Sequence, residues 1–275
     1  MQRILIIGED PTVSVMTSPQ LQACSIETAD GNAEALLRLR RHAFDLVLTD
    51  PKSSVQEDLA LVSEIENIRP GIKTIILAPA ATPEEVIAAL RARVFACFSN
   101  PLDVNEVAAM ISKALEADNW RLGIEVLSAE PNWIQLRVNC HLLTVDRLLR
   151  FMTEFRSDLE DPDRSTLLTA FREILLNAIE HGAGFDSEKV IEVVAVRTKR
   201  AIVYRFRDPG PGFRGKPLPH AAINNPPDNP IAHLEFRETQ GLRPGGFGIL
   251  LAQQLVDELV FNEMGNEVLL IKYTA

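Results

Sequence analysis

Apolar runs alternate with helical patterns through the first 118 residues, and this alternation limits the folds open to that half of the chain. Ile4–Ile7, Ser25–Ala29, Phe44–Thr49, Lys73–Ala78 and Ala96–Ser99 are strand candidates. Asn32–Arg41, Leu59–Ile68, Pro83–Ala92 and Val104–Leu115 carry apolar residues at three- and four-residue steps between them, with Thr82 and Asp103 as caps. Strands that are continuously apolar, not alternating, are buried on both faces. Helices returning between them make the sheet parallel and doubly wound, an α/β fold. Ligands of such sheets lie beyond the carboxyl ends of the strands, where Glu9, Asp10 and Asp50 fall.

The chain has 275 residues, enough for two domains. The pattern places one over 1–118 and a second over 123–275, joined without a Pro-, Gly- or Ser-rich linker. At 46% hydrophobic and 24% charged, both halves can bury a core. A net charge of −10 disfavours direct nucleic-acid binding and anionic membranes, and suits a protein partner with a basic patch. Cys24, Cys97 and Cys140 form no CxxC pair, as expected of buried thiols in a reducing compartment. MQRILIIGED reads as a strand without a signal-peptide pattern, and no apolar run spans a bilayer, so the expectation is a soluble, cytoplasmic protein.

The second half centres on Phe171–Gly182, FREILLNAIEHG. As a helix, opened by Asp161-Pro162 and ended by Gly182, it carries Glu173, Asn177 and His181 in one stripe opposite an apolar face. Two hairpins flank the later motifs: Gly123–Ser128 with Trp133–Val138, and Glu258–Asn262 with Val268–Tyr273. The strands Val190–Val196 and Ala201–Arg207 lead into DPGPGF, Asp208–Phe213. A long polar stretch, Arg214–Arg243, has lid length. Gly245, Gly246 and Gly248 then open an amphipathic helix, where backbone N–H groups and the helix dipole favour a polyphosphate. Each piece alone is common in turns and loops. Their joint order is the specific signal: E-x-x-x-N-x-x-x-H-G, D-x-G-x-G at a strand end, a lid, then G-G-x-G at a helix start.

The first segment resembles the response-regulator receiver domain. Asp50, ending the third strand, matches the family's phosphate-accepting aspartate, with Glu9 and Asp10 nearest to its acidic pair. The family's other positions differ: Gly8 stands in the acidic pair, Ala78 replaces the hydroxyl residue, and Asn100 replaces the lysine before Pro101. A phosphoryl group on Asp50 needs a metal, a cation and a hydroxyl. The segment therefore reads as a pseudo-receiver, a scaffold or docking surface. Phosphorylation at Asp50 is the alternative.

The second segment resembles the Bergerat-fold ATPases, the superfamily of gyrase, Hsp90, MutL and histidine kinases, an α+β two-layer sandwich. The branch it is most similar to is the bacterial anti-sigma-factor serine/threonine kinases. The resemblance implies ATP and Mg²⁺ as cofactors. It makes Asn177 the Mg²⁺ ligand and Glu173 the general base. It gives Asp208 the adenine amino group, with Gly210 and Gly212 allowing close backbone approach, and lays Gly245, Gly246 and Gly248 along the phosphates. Arg243 is either a second cation or a solvated lid residue, and His181 reads as structural. The implied partners are an anti-anti-sigma-type antagonist and a sigma factor. Neither motif set fixes the oligomeric state, and a homodimer stays open. Beside the kinase stand two alternatives: a nucleotide-dependent, non-catalytic switch, and a response regulator phosphorylated at Asp50 with an ATPase output.

Overall fold

The computed structural model describes residues 1–8, 18–118, 120–156, 159–213, 218–219, 221–240 and 246–274. It divides into two compact units, Met1–Leu122 with Asp146–Asp158, and Gly123–Val145 with Leu159–Ala275.

In the first unit β1 (Arg3–Ile7), β2 (Ser25–Ala29), β3 (Leu46–Leu48), β4 (Lys73–Ala78) and β5 (Ala96–Ser99) form a sheet in the order β2-β1-β3-β4-β5. Every pairing is parallel. Ile4–Ile7, Leu46–Leu48 and Ile75–Ala78 are buried without a break, as a sheet covered on both faces requires. The helices are α1 (Asn32–Arg41), α2 (Val55–Ile68), α3 (Pro83–Arg91) and α4 (Val104–Glu116). Leu39 of α1 and Leu61 and Ile65 of α2 close over Leu5, Ile7 and Val47. Each such side chain contributes about 1.5–3 kcal/mol on burial.

Helix α2 starts a turn earlier than its apolar pattern indicates. The Ser54 hydroxyl accepts from the Glu57 amide at 3.3 Å, while the Glu57 carboxylate accepts from the Ser54 amide at 2.9 Å. This capping box satisfies two end amides and draws Val55–Asp58 into the helix. Thr82 and Glu85 form the same device at α3.

The first unit also takes in most of α5 (Leu142–Phe155). Arg147 anchors it. Its guanidinium donates to the carbonyls of Trp120 (2.6 Å), Phe95 (3.0 Å) and Val94 (3.4 Å). It also lies 4.8 Å from the Phe95 ring centre and 4.9 Å from that of Trp120. One turn on, Arg150 bridges Glu154 and Glu106, and the Glu154 carboxylate accepts from the Ser99 amide and hydroxyl at the end of β5.

The second unit is a six-stranded antiparallel sheet of β6 (Ile124–Glu130), β7 (Trp133–Asn139), β8 (Val190–Arg197), β9 (Ala201–Arg207), β10 (Glu258–Phe261) and β11 (Glu267–Tyr273), in the order β10-β11-β9-β8-β7-β6. Helix α6 (Asp163–Asn177) covers it. Phe171 sits edge-on to Tyr204 and Phe206, with ring centres 4.8 and 4.9 Å apart.

Two sequence expectations about this helix change. Pro162 is the N-cap, outside the first turn, and the Asp161 carboxylate takes Arg164 at 2.9 Å instead of a backbone amide. Winding also changes to a π turn over Ala178–Ala183, and left-handed Gly184 (φ +69°), not Gly182, ends it. Helix α7 (Ala232–Thr239) lies inside the stretch whose composition suggested only a polar lid. Its buried side chains are polar, His233 and Arg237, so no apolar period announces it. The Asn225 side chain accepts from the His233 amide at 2.9 Å at its start. Helix α8 (Gly248–Leu255) follows the glycines.

Candidate functional site

A cavity of about 300 Å³ opens in the second unit, between α6 with its π turn, the end of β9, the turn before β11 and the start of α8. Asn177, His181, Gly182, Asp208, Gly212, Gly246 and Gly248 line it. The structure thus gathers residues spread over seventy positions of sequence.

Asp208 marks one end. Its carboxylate accepts from the Gly210 amide at 2.8 Å, and its own amide donates to the Asn266 carbonyl at 3.0 Å. Burial pushes the Asp208 carboxyl above the usual range, and the Gly210 hydrogen bond opposes that. A β-carbon on Gly182 would overlap this carboxyl, and one on Gly210 would stand 2.7 Å from the Gly182 carbonyl oxygen. Gly212 has φ +66°, and a β-carbon there would stand 2.0 Å from the Met264 carbonyl oxygen, so both conformation and space require glycine.

Apolar walls stand beside this acceptor. Phe213 packs edge-on to Phe261 at 5.3 Å between ring centres, and both line the cavity. The turn before β11 contributes Gly265, Asn266 and Glu267. Sequence reading treated that turn only as a hairpin. The signal available was Asn262, whose side chain accepts from the Gly265, Asn266 and Glu267 amides and fixes the turn.

The other end joins α6 to the glycines. Gly248 opens α8 so close to α6 that a β-carbon there would stand 2.8 Å from Glu173 Oε2, 3.3 Å from Asn177 Nδ2 and 3.5 Å from Asn177 Oδ1. Asn177 Nδ2 is buried without a hydrogen-bond partner. Glu173 contacts Arg172 at 3.3 Å. Gly246 (φ +94°) accepts at its carbonyl from the Ala222 amide at 2.8 Å.

His181 lines the cavity, and burial together with the Arg237 charge holds its imidazole below the ordinary value, favouring the neutral ring. The π winding takes it out of strict register with Glu173 and Asn177. Glu9, Asp10, Arg243 and Gly245 lie outside the described residues.

In the first unit Asp50 follows β3. Its carboxylate accepts from the Lys52 amide at 2.9 Å and lies against Gly8, where a β-carbon would be 2.6 Å from Asp50 Cγ. Ala78 ends β4, and Asn100 follows β5.

Residues 140–272 match the family described as histidine kinase-like ATPase domain. Among curated proteins, the chain is 29% identical over 129 residues to the transcriptional regulatory protein GlrR of Escherichia coli K12. It is 27% identical over 114 residues to the transcriptional regulatory protein ZraR of the same strain. These alignments cover 44% and 41% of this chain, but the chain spans only 29% and 26% of the two regulators. Among solved structures, a CheY-like response regulator receiver domain protein from Methanospirillum hungatei JF-1 aligns at 25% identity with a TM-score of 0.38, over 42% of this chain and 94% of that one. A response regulator from Thermotoga maritima aligns at 19% identity with a TM-score of 0.38, over 42% and 98%. A doubly wound five-stranded parallel α/β unit is thus followed by a region, residues 140–272, that is similar to histidine kinase-like ATPase domains.

Proposed function

We propose that the protein is an ATP-binding regulator whose second domain is a serine/threonine kinase of the anti-sigma-factor type, acting with Mg-ATP on a protein antagonist, and whose receiver-like domain docks or regulates. The observation that carries this is the close approach of Gly248 to Asn177 and Glu173 beside a cavity that Gly248, Asn177 and Asp208 line together, with Glu173 itself outside the lining. Asp208 presents a carboxylate acceptor beside Phe213 and Phe261, which suits the exocyclic amine and faces of adenine. The glycine-rich start of α8 suits phosphate oxygens.

The side chains at that end are a carboxamide and a carboxylate, whose oxygens are hard ligands of the kind Mg²⁺ takes, and the unpartnered Asn177 Nδ2 is a donor left for a further acceptor such as a phosphate oxygen. In this reading Asn177 Oδ1 would hold the ion, which would supply charge neutralisation for the phosphoryl oxygens. Glu173 accepts the proton of an attacking serine or threonine hydroxyl; the hydroxyl oxygen bonds to the γ-phosphorus and ADP leaves. Transfer of ³²P from ATP to an antagonist protein, lost in Glu173→Ala, supports the kinase. Absence of transfer to such a partner, with ATP binding intact, removes it.

A non-catalytic nucleotide switch is favoured by a different observation. Among the described residues no Lys or Arg lines the cavity, and Asp208 and Glu267 do. Tight binding without turnover is its signature. For the first domain, Gly8 packed on Asp50, with Ala78 and Asn100 at neighbouring strand ends, supports a scaffold. A phosphate adduct from a small phosphodonor and Mg²⁺, lost in Asp50→Ala, overturns that.

A further inference from the structure

Helix α7 contacts two segments that border the cavity, the π turn and the start of α8, through Glu180 and Phe247, which do not themselves line it. Arg237, 3% exposed, lies 3.7 Å from Glu180 on the π turn, three residues beyond Asn177. His233, one turn earlier and fully buried, sets its ring edge-on to Phe247 with centres 4.5 Å apart. Phe247 separates Gly246 from Gly248, both of which line the cavity. The Asn225 side chain also meets His233 Nδ1 at 2.7 Å, so the helix start is fixed to the segment that donates to the Gly246 carbonyl.

We propose that Arg237 is a positioning residue of the nucleotide site: paired with Glu180, it holds α7 across these two segments and thereby sets how long a nucleotide stays bound. This rests on the cavity being a nucleotide site. The physical reason is placement. A cation buried this deeply needs a nearby counter-charge, and Glu180 supplies one at 3.7 Å, so the pair ties α7 to the π turn. Releasing Arg237 frees His233 from Phe247, and with it the backbone that faces the phosphates. Burial and the Arg237 charge both depress His233 and His181, keeping two neutral imidazoles beside the guanidinium instead of two competing cations. No apolar signal marks α7 in the sequence, because its packed face consists of these two polar side chains.

The test compares wild type with Arg237→Ala, Glu180→Ala, Arg237→Lys and the charge exchange Glu180→Arg with Arg237→Glu. The first readout is stopped-flow dissociation of a fluorescent ADP. The alanine variants are expected to release it about tenfold faster with little change in association, while Arg237→Lys and the exchange recover most of the wild-type rate. The second readout is amide hydrogen exchange across 233–239 without nucleotide, expected to quicken about tenfold in both alanine variants. Unchanged exchange in both alanine variants overturns the latch. Unchanged ADP release overturns its role at the site. If wild type binds no ADP at any Mg²⁺ concentration, the nucleotide reading fails and the role at the site with it, while the exchange readout still decides whether the latch exists.

Discussion

Gly248 is packed against Glu173: the start of α8 leaves no room for a β-carbon, which would stand 2.8 Å from Oε2. The helix backbone there accepts alanine, so the constraint belongs to the site and not to the fold. Gly248→Ala should leave thermal stability equal or higher, by up to ~1 kcal/mol from helix propensity. It should weaken ATP binding at least about tenfold, by displacing Glu173 and Asn177. Thermal unfolding and calorimetric titration on the same preparation check this, and the two effects should have opposite signs.

Arg147 and Trp120 make the second informative pair. The guanidinium is buried, with three carbonyls and two aromatic faces as partners, and burial lowers its pKa to about 10. Removing it strands those carbonyls. Arg147→Ala should cost about 3 kcal/mol or more, and Arg147→Lys should recover less than half, since an ammonium cannot reproduce the planar fork. Urea unfolding of the full chain checks both variants.

Asp58 gives the first unit a pH dependence. Its carboxyl accepts from Thr49 Oγ1 at 2.7 Å and Ser53 Oγ at 2.6 Å, yet burial dominates and pushes it up to about 6. A carboxyl raised on folding stabilises the protein most when protonated. That contribution is present below pH ~4 and is lost as pH rises through 6, about 3 kcal/mol in total. Asp58→Asn should match wild type near pH ~3.5 and be the more stable of the two near pH ~7.5. Denaturant unfolding at the two pH values tests this, and equal differences at both would contradict it.

The sheet of the first unit was legible because buried parallel strands are apolar throughout, and β4 and β5 fall on the runs Lys73–Ala78 and Ala96–Ser99. The gathering of Asn177, Asp208, Gly212, Gly246 and Gly248 around one cavity was legible from motif order, since Gly212 and Gly248 answer close approaches and Gly246 a φ of +94°. Helix α7 was not, because His233 and Arg237 are buried by polar contacts that composition reads as solvated loop. Nor was the role of Arg147, an arginine on an amphipathic helix whose partners are carbonyls some 27 to 53 residues away. The π turn over Ala178–Ala183 was equally hidden, since the four-residue spacing of Glu173, Asn177 and His181 reads as unbroken α-helix.

The proposed metal-assisted ATP site rests on Asn177 together with Gly246 and Gly248 at the start of α8. Calorimetric titration of ATP into wild type and Asn177→Ala, each with and without Mg²⁺, tests it most directly. Binding is expected to require Mg²⁺ in wild type and to fall at least about tenfold in the variant. Binding that is independent of Mg²⁺ and unaltered by Asn177→Ala, or no binding in wild type, would contradict it.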